Sequence, residues 1–243
     1  MKILSIIGSP RFNGNTHFLA QKFCEGAQSV GAETEEIFLP KMKVAPCLHC
    51  FGCLETGVCK QEDDNNAIIE KMRASDGVLL SSPVYCCSVT AQMKAFIDRS
   101  YCMSYPTWET GMEGKTVAFI VGSGAPPPED PRKAEEIGYM VHHKMKVPRM
   151  LRLAKDWKIV QEGLTIRDAI DPMAPFDPTI DTIKLLYQYS VILGMEVLGA
   201  MDFVGLGHNK KAVQSRPQEI QRATMFGAKF AMMTRMIMDG SYI

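Results

Sequence analysis

The sequence predicts an α/β protein: a doubly wound, five-stranded parallel sheet with an insertion after the fourth strand. Three observations predict it. Short strand-forming runs recur at 2–7, 33–39, 77–82, 115–121 and 195–204. Stretches with helical apolar spacing lie between them. The first run ends in a glycine turn that opens directly onto a helix, the start of a βαβ unit.

Residues 2–7 (Lys-Ile-Leu-Ser-Ile-Ile) are apolar and β-branched, as a buried strand requires, and Gly-Ser-Pro ends them. A helix is expected over 15–30, starting at Asn15 or Thr16, with Phe18, Leu19, Phe23 and Ala27 as its apolar stripe. Gly31 ends it before the second strand at 33–39. A long loop follows Pro40, and Asp63 or Asp64 can cap the next helix, at 64–73. The third strand at 77–82 stops at Pro83, a helix is expected over 91–101, and the fourth strand at 115–121 runs into Gly122-Ser123-Gly124. Residues 125–178, framed by Pro126-Pro127-Pro128 and Asp177-Pro178, break the rhythm and are expected to form an insertion, a lid or an oligomer contact, with helices at 133–147 and 148–156. Basic residues such as Arg132, Lys144, Arg149 and Arg152 gather there, as a solvated helical surface or as a lobe for an anionic substrate or partner. A helix at 179–193, the fifth strand and a C-terminal helix at 216–239 complete one domain, 1–243, whose last part, 205–243, is a helical extension.

The formal net charge of zero gives no bulk case for nucleic acid or an anionic membrane surface. No apolar run reaches the roughly 18 residues of a membrane span, and the first residues lack a signal-peptide pattern, so a cytoplasmic protein is expected. In that compartment thiols stay reduced, which turns clustered cysteines from disulfides toward metal or redox chemistry.

Two stretches carry chemistry. Gly8-Ser9-Pro10-Arg11-Phe12-Asn13-Gly14-Asn15-Thr16 joins the first strand to the first helix. Unpaired N–H groups and the positive end of the helix dipole suit a phosphate there. Ser9, Asn13, Asn15 and Thr16 add short donors and Arg11 a charge; the loop is neither a Walker loop nor Gly-x-Gly-x-x-Gly. The second stretch is Cys47-Leu-His-Cys50-Phe-Gly-Cys53-Leu-Glu-Thr-Gly-Val-Cys59, four of the chain's eight cysteines with two, two and five residues between them. Two-residue gaps let a turning backbone aim sulfurs at one small object. An iron–sulfur cluster, zinc, disulfides or no guest are the alternatives. Zinc favours two separated pairs. The opening Cys-x2-Cys-x2-Cys is similar to a bacterial ferredoxin run, although the fourth cysteine is farther away and no proline follows it. His49, inside the ladder, reads as a surface residue or a neighbour of the ligands.

Gly-Ser-Pro-Arg-x-x-Gly-Asn-Thr after an N-terminal strand resembles the FMN phosphate loop of the flavodoxin-like NAD(P)H-dependent FMN reductases. Ser82-Pro83-Val84-Tyr85, continued by Ser88-Val89-Thr90-Ala91-Gln92-Met93, is similar to that family's flavin-ring loop, and Gly122-Ser123-Gly124 to its third flavin loop. The resemblance covers about 1–124 and resumes weakly at 180–204. It implies a flavodoxin-like sheet and an FMN site made from Ser9, Arg11, Asn13, Asn15, Thr16, Pro83, Val84, Tyr85, Cys86, Ser88, Gly122 and Ser123. Val84, Tyr85 and Cys86 are expected to offer N–H groups to the ring. Where the family often has glycine, this chain has Cys86-Cys87, read as a pair of small buried residues or a strained vicinal disulfide.

The compact cysteine ladder resembles that of the iron–sulfur flavoprotein branch, which implies Cys47, Cys50, Cys53 and Cys59 as ligands of a [4Fe–4S] cluster. It implies electrons passing from ferredoxin or a similar carrier through the cluster to FMN and a small acceptor, with the ladder on the sheet edge where FMN lies. No acid–base residue is assigned. The alternatives are a cluster-free NAD(P)H-dependent flavin or quinone reductase, and a non-enzymatic FMN electron carrier or redox sensor. The Met-rich C-terminal helix, with Met225, Met232, Met233 and Met236, is read as core or as the contact of a homodimer or homotetramer.

Overall fold

A computed structural model of the chain describes residues 1–124, 178–203, 209 and 211–241. The expected insertion at 125–178, its two helices and its basic residues lie outside the described residues, apart from Pro178 at the start of a helix.

The strands are β1 (Lys2–Ile7), β2 (Glu33–Phe38), β3 (Gly77–Pro83), β4 (Thr116–Gly122) and β5 (Glu196–Phe203), and the helices are α1 (Asn15–Ser29), α2 (Asn65–Arg73), α3 (Ala91–Arg99), α4 (Pro178–Ile192) and α5 (Pro217–Met238). All strand pairings are parallel, in the order β2-β1-β3-β4-β5. The strand order reverses direction between β1 and β3, the switch point at which doubly wound sheets open a crevice for a ligand.

Successive strand residues face opposite sides of the sheet, which makes two cores. Leu4, Ile6, Val78, Leu80, Val117 and Phe119 pack with Met72, Met93 and Phe96 on the α2–α3 side. Ile3, Ile7, Leu79, Ala118 and Ile120 pack with Leu19, Phe23 and Phe230 on the α1–α5 side. The three central strands are therefore apolar on both faces, while β2 at the edge keeps Glu33 and Glu36 exposed.

Helices α1 and α5 cross at backbone contact. A Cβ on Gly26 would come within 1.9 Å of the Thr224 carbonyl oxygen, and one on Gly227 within 1.9 Å of that of Phe23. The C-terminal helix divides its apolar residues accordingly. Ala223, Phe230 and Ala231 are buried, whereas Met225, Met232, Met236 and Met238 are exposed.

The helix expected over 91–101 is shorter. It ends at Arg99 and tightens into a 3-10 turn over Ser100–Ser104, where the Ser100 hydroxyl donates to the Phe96 carbonyl. Such side-chain bonds compete with the regular helical ladder.

Candidate functional site

The three loops expected to hold a flavin leave the carboxyl ends of β1, β3 and β4, which are neighbours in the sheet. The loop after β1 is drawn in by close packing. Gly8 donates its N–H to the Ser81 carbonyl at 2.8 Å, and a Cβ on it would meet the Met93 Cβ at 2.9 Å. Thr90 ties this loop to α3. Its hydroxyl donates to the Gly8 carbonyl at 2.7 Å and accepts from the Met93 N–H at 3.3 Å, capping the helix. The cap of α1 is Gly14, with no side-chain bond to the first turn, which leaves that turn's amides in the arrangement that favours an anion.

His17 sets the middle of the loop. It is fully buried, and its Nδ1 accepts the Asn13 N–H at 2.9 Å while its Nε2 lies 3.0 Å from both carboxylate oxygens of Glu36. An acceptor Nδ1 places the proton on Nε2, which donates to Glu36. Asn13 is thereby held at φ 53°, a left-handed conformation that asparagine tolerates better than most residues. Ser9 is buried, with its Oγ accepting from the Arg11 N–H at 3.3 Å. The Asn15 side chain is committed to the chain itself: its amide donates to the Asn209 carbonyl at 2.8 Å, and its oxygen accepts from the Val213 N–H at 3.1 Å. Thr16 is buried beneath the loop.

The β3 loop differs from expectation in two respects. The Val84 N–H donates to the Gly122 carbonyl and the Tyr85 N–H to the Ser88 carbonyl, each at 2.8 Å, so of the three expected ring-facing amides only that of Cys86 is left uncommitted by these bonds. Cys86 and Cys87 are not buried and not bridged; both thiols are free and exposed. They occupy the two central positions of a tight turn at φ 46° and 63°, closed by reciprocal Tyr85–Ser88 bonds. Paired positive φ values belong to a type I′ turn, which glycine and asparagine adopt with least strain. The partial cover that Cys87 does have, and then its neighbour Cys86, push its thiol up from the ordinary pKa. Pro83 and Val84 are half-buried, Tyr85 is exposed, and Gly122 and Ser123 are buried where β4 ends, with the Ser123 N–H donating to the Phe203 carbonyl.

Cys47, Cys50, Cys53 and Cys59 line one open pocket, together with Arg99, Tyr101 and Cys102. Positive φ at His49 (53°), Phe51 (58°) and Gly57 (68°) curls the loop. The Cys47 sulfur accepts from the His49 N–H at 3.4 Å. Among the described residues no three His, Cys, Asp or Glu side chains are closed up as a metal centre. The donor set nevertheless fits a cluster. Burial, and then the neighbouring Cys59, Cys47 and Cys50, push the Cys53 thiol up, so several thiolates here require positive charge close by. Cys102 is buried, with its thiol pushed up to about 11 chiefly by burial, and behaves as a small apolar packer.

Charge is present at the pocket floor. The fully buried Arg99 makes a two-pronged pair with Asp63, Nη1 to Oδ2 at 2.8 Å and Nη2 to Oδ1 at 2.9 Å. Its remaining bonds go to the Ala45 carbonyl at 3.0 Å and to the Cys59 sulfur at 3.2 Å. Asp63 also accepts from the N–H groups of Ala45 and Asn65, the latter the first residue of α2, while Asp64, the N-cap of that helix, accepts from the Lys43 N–H. Burial would raise the Asp63 carboxyl, but the Arg99 guanidinium and these amides outweigh it and hold it below the usual aspartate range.

The pocket is lined by the last residues of α3 and the turn after it. It lies at the far end of α3, nine residues and about 14 Å of helix away from Thr90. The role of His17, the Thr90–Gly8 bond and the Asp63–Arg99 pair escaped the sequence reading, which took Asp63 only as a candidate cap of the next helix. The spacing of Asp63 and Arg99, 36 residues apart, carries no local signal, and His17 looked like one more residue of a helix.

Residues 1–149 match the family described as NADPH-dependent FMN reductase. An iron-sulfur flavoprotein of Archaeoglobus fulgidus is 33% identical over 172 residues, 71% of this chain and 70% of that one. Iron-sulfur flavoproteins of Methanocaldococcus jannaschii and Methanosarcina thermophila are 43% and 42% identical over 100 residues, 41% of this chain and 52% of each of theirs. Among solved structures, NAD(P)H:quinone oxidoreductase from Methanothermobacter marburgensis aligns with a TM-score of 0.61 at 13% identity, over 94% of this chain and 98% of that one. A flavone reductase aligns with a TM-score of 0.61 at 15% identity, over all of this chain and 65% of that one. These structures share the flavodoxin-like fold. Three loops at the carboxyl ends of β1, β3 and β4, on a sheet of this order, are thus explained together: the chain belongs to the NADPH-dependent FMN reductase family and is a flavin-dependent oxidoreductase.

Proposed function

We propose that the chain is an oxidoreductase of the iron–sulfur flavoprotein type, holding a [4Fe–4S] cluster on Cys47, Cys50, Cys53 and Cys59 and FMN on the loops after β1, β3 and β4. That all four cysteines line one pocket, with a buried guanidinium bonded to one of their sulfurs, is the observation that carries this reading. The likeness to chains named iron-sulfur flavoprotein supports it.

FMN supplies two-electron or one-electron chemistry, and the cluster one-electron chemistry. The chain's own residues bind and orient. Ser9, Arg11, Asn13, Thr16 and the first-turn amides of α1 receive the phosphate, with His17 and Asn15 fixing the loop. Pro83, Val84, Tyr85, Cys86, Ser88, Gly122 and Ser123 border the ring. Leu48, Phe51 and Val58, exposed around the cysteine pocket, suit a protein electron carrier such as ferredoxin. The exposed methionines of α5 suit a homodimer or homotetramer contact. Among the described residues no helix is long and apolar enough to cross a membrane, in keeping with a cytoplasmic setting.

Anaerobic purification followed by iron, acid-labile sulfide and FMN analysis tests the reading. About four iron and four sulfide per chain, with FMN, is the expected result. FMN without iron, with rapid reduction by NADPH in stopped flow, would instead make it a cluster-free reductase.

A further inference from the structure

We infer that Arg99 is a positioning residue for the proposed cluster: its buried guanidinium donates to the Cys59 sulfur and raises the electron affinity of the centre. This rests on the proposed cluster and goes beyond it. Arg99 has no exposed side-chain surface, and each of its bonds is directed: Nη1 and Nη2 to Asp63, Nη1 also to the Ala45 carbonyl, and Nε to the Cys59 sulfur at 3.2 Å. The pairing with Asp63 fixes the plane of the guanidinium, and that plane aims Nε at the sulfur. A lysine carries the same charge but lacks the rigid fork that serves two partners at once.

The direction of the effect follows from charge. An added electron makes the cluster sulfurs more negative, and a hydrogen bond from an ionised donor strengthens with the charge on its acceptor. Arg99 therefore stabilises the reduced centre more than the oxidised one. Asp63 opposes it by partly neutralising the guanidinium, so the two side chains pull the potential in opposite directions.

The test is an EPR-monitored redox titration of the anaerobically purified holoprotein and its Arg99→Lys and Asp63→Asn variants, each with iron, sulfide and FMN measured. Arg99→Lys is expected to lower the reduced-to-oxidised ratio at a fixed applied potential about tenfold, ~59 mV for one electron. Asp63→Asn is expected to move it the other way. Shifts of opposite sign support the inference, since a general loosening of the pocket moves both variants alike. Where Arg99→Lys does not retain iron, the upward shift in Asp63→Asn decides. An unchanged potential in an iron-loaded Arg99→Lys, or a downward or absent shift in Asp63→Asn, overturns it. Absence of iron from the unaltered protein instead overturns the proposed cluster.

Discussion

The loops after β1, β3 and β4 and the cysteine pocket are built on different principles. The first set grows from strand ends and is held by the sheet's own backbone: Gly8 on Ser81, Val84 on Gly122, Ser123 on Phe203. The second has little regular structure, and its floor depends on side chains, above all the Asp63–Arg99 pair. The difference teaches that a site made of backbone is ready before its ligand arrives, whereas a site made of one buried ion pair stands or falls with that pair.

Four measurements break or sharpen this contrast. Asp63→Ala leaves a buried guanidinium without its carboxylate partner, so urea unfolding should show a loss of about 3–5 kcal/mol. FMN bound per folded chain should stay the same, and a parallel loss of FMN would erase the contrast. Gly8→Ala pushes a Cβ toward Met93 and Thr90, which should cost about 1–3 kcal/mol and weaken FMN in a fluorescence titration, with iron content unchanged. Thr90→Val removes the bond to Gly8 and the cap of α3 together, a loss of about 1–2 kcal/mol, read by thermal melting with FMN present and absent.

The smallest effect concerns pH. The Asp63 carboxyl is depressed in the folded protein, so its contribution to stability is complete above the ordinary aspartate range, about pH 4, and is lost as pH falls through the folded value. Melting curves from pH 7 down to 3 should steepen at the acid end, and less so for Asp63→Asn.

The sheet was legible in the sequence because a doubly covered strand must be apolar on both faces, as 77–82 and 115–121 are. The loops after β1, β3 and β4 were legible as loops because each is short and local to one strand end. What stayed hidden was non-local or conformational. Asp63 and Arg99 meet only through the fold. Cys86 and Cys87 looked like small buried residues, yet the Tyr85–Ser88 bridge turns them outward at left-handed φ. The cysteine ladder was recognisable by spacing, but its neighbours at the end of α3 were not, because they come from a distant stretch of the chain.

Helix α3 is capped by Thr90, which bonds the loop after β1, and ends at Arg99, on the Cys59 sulfur. It is therefore a ruler. The spacing between the Thr90–Gly8 bond and the Cys59 sulfur is set by its nine residues and not by the loops at either end. One inserted residue would lengthen the ruler by about 1.5 Å and rotate its ends by about 100° relative to each other. Thr90 and Arg99 could not then both meet their partners, so distance and phase are fixed by a single count.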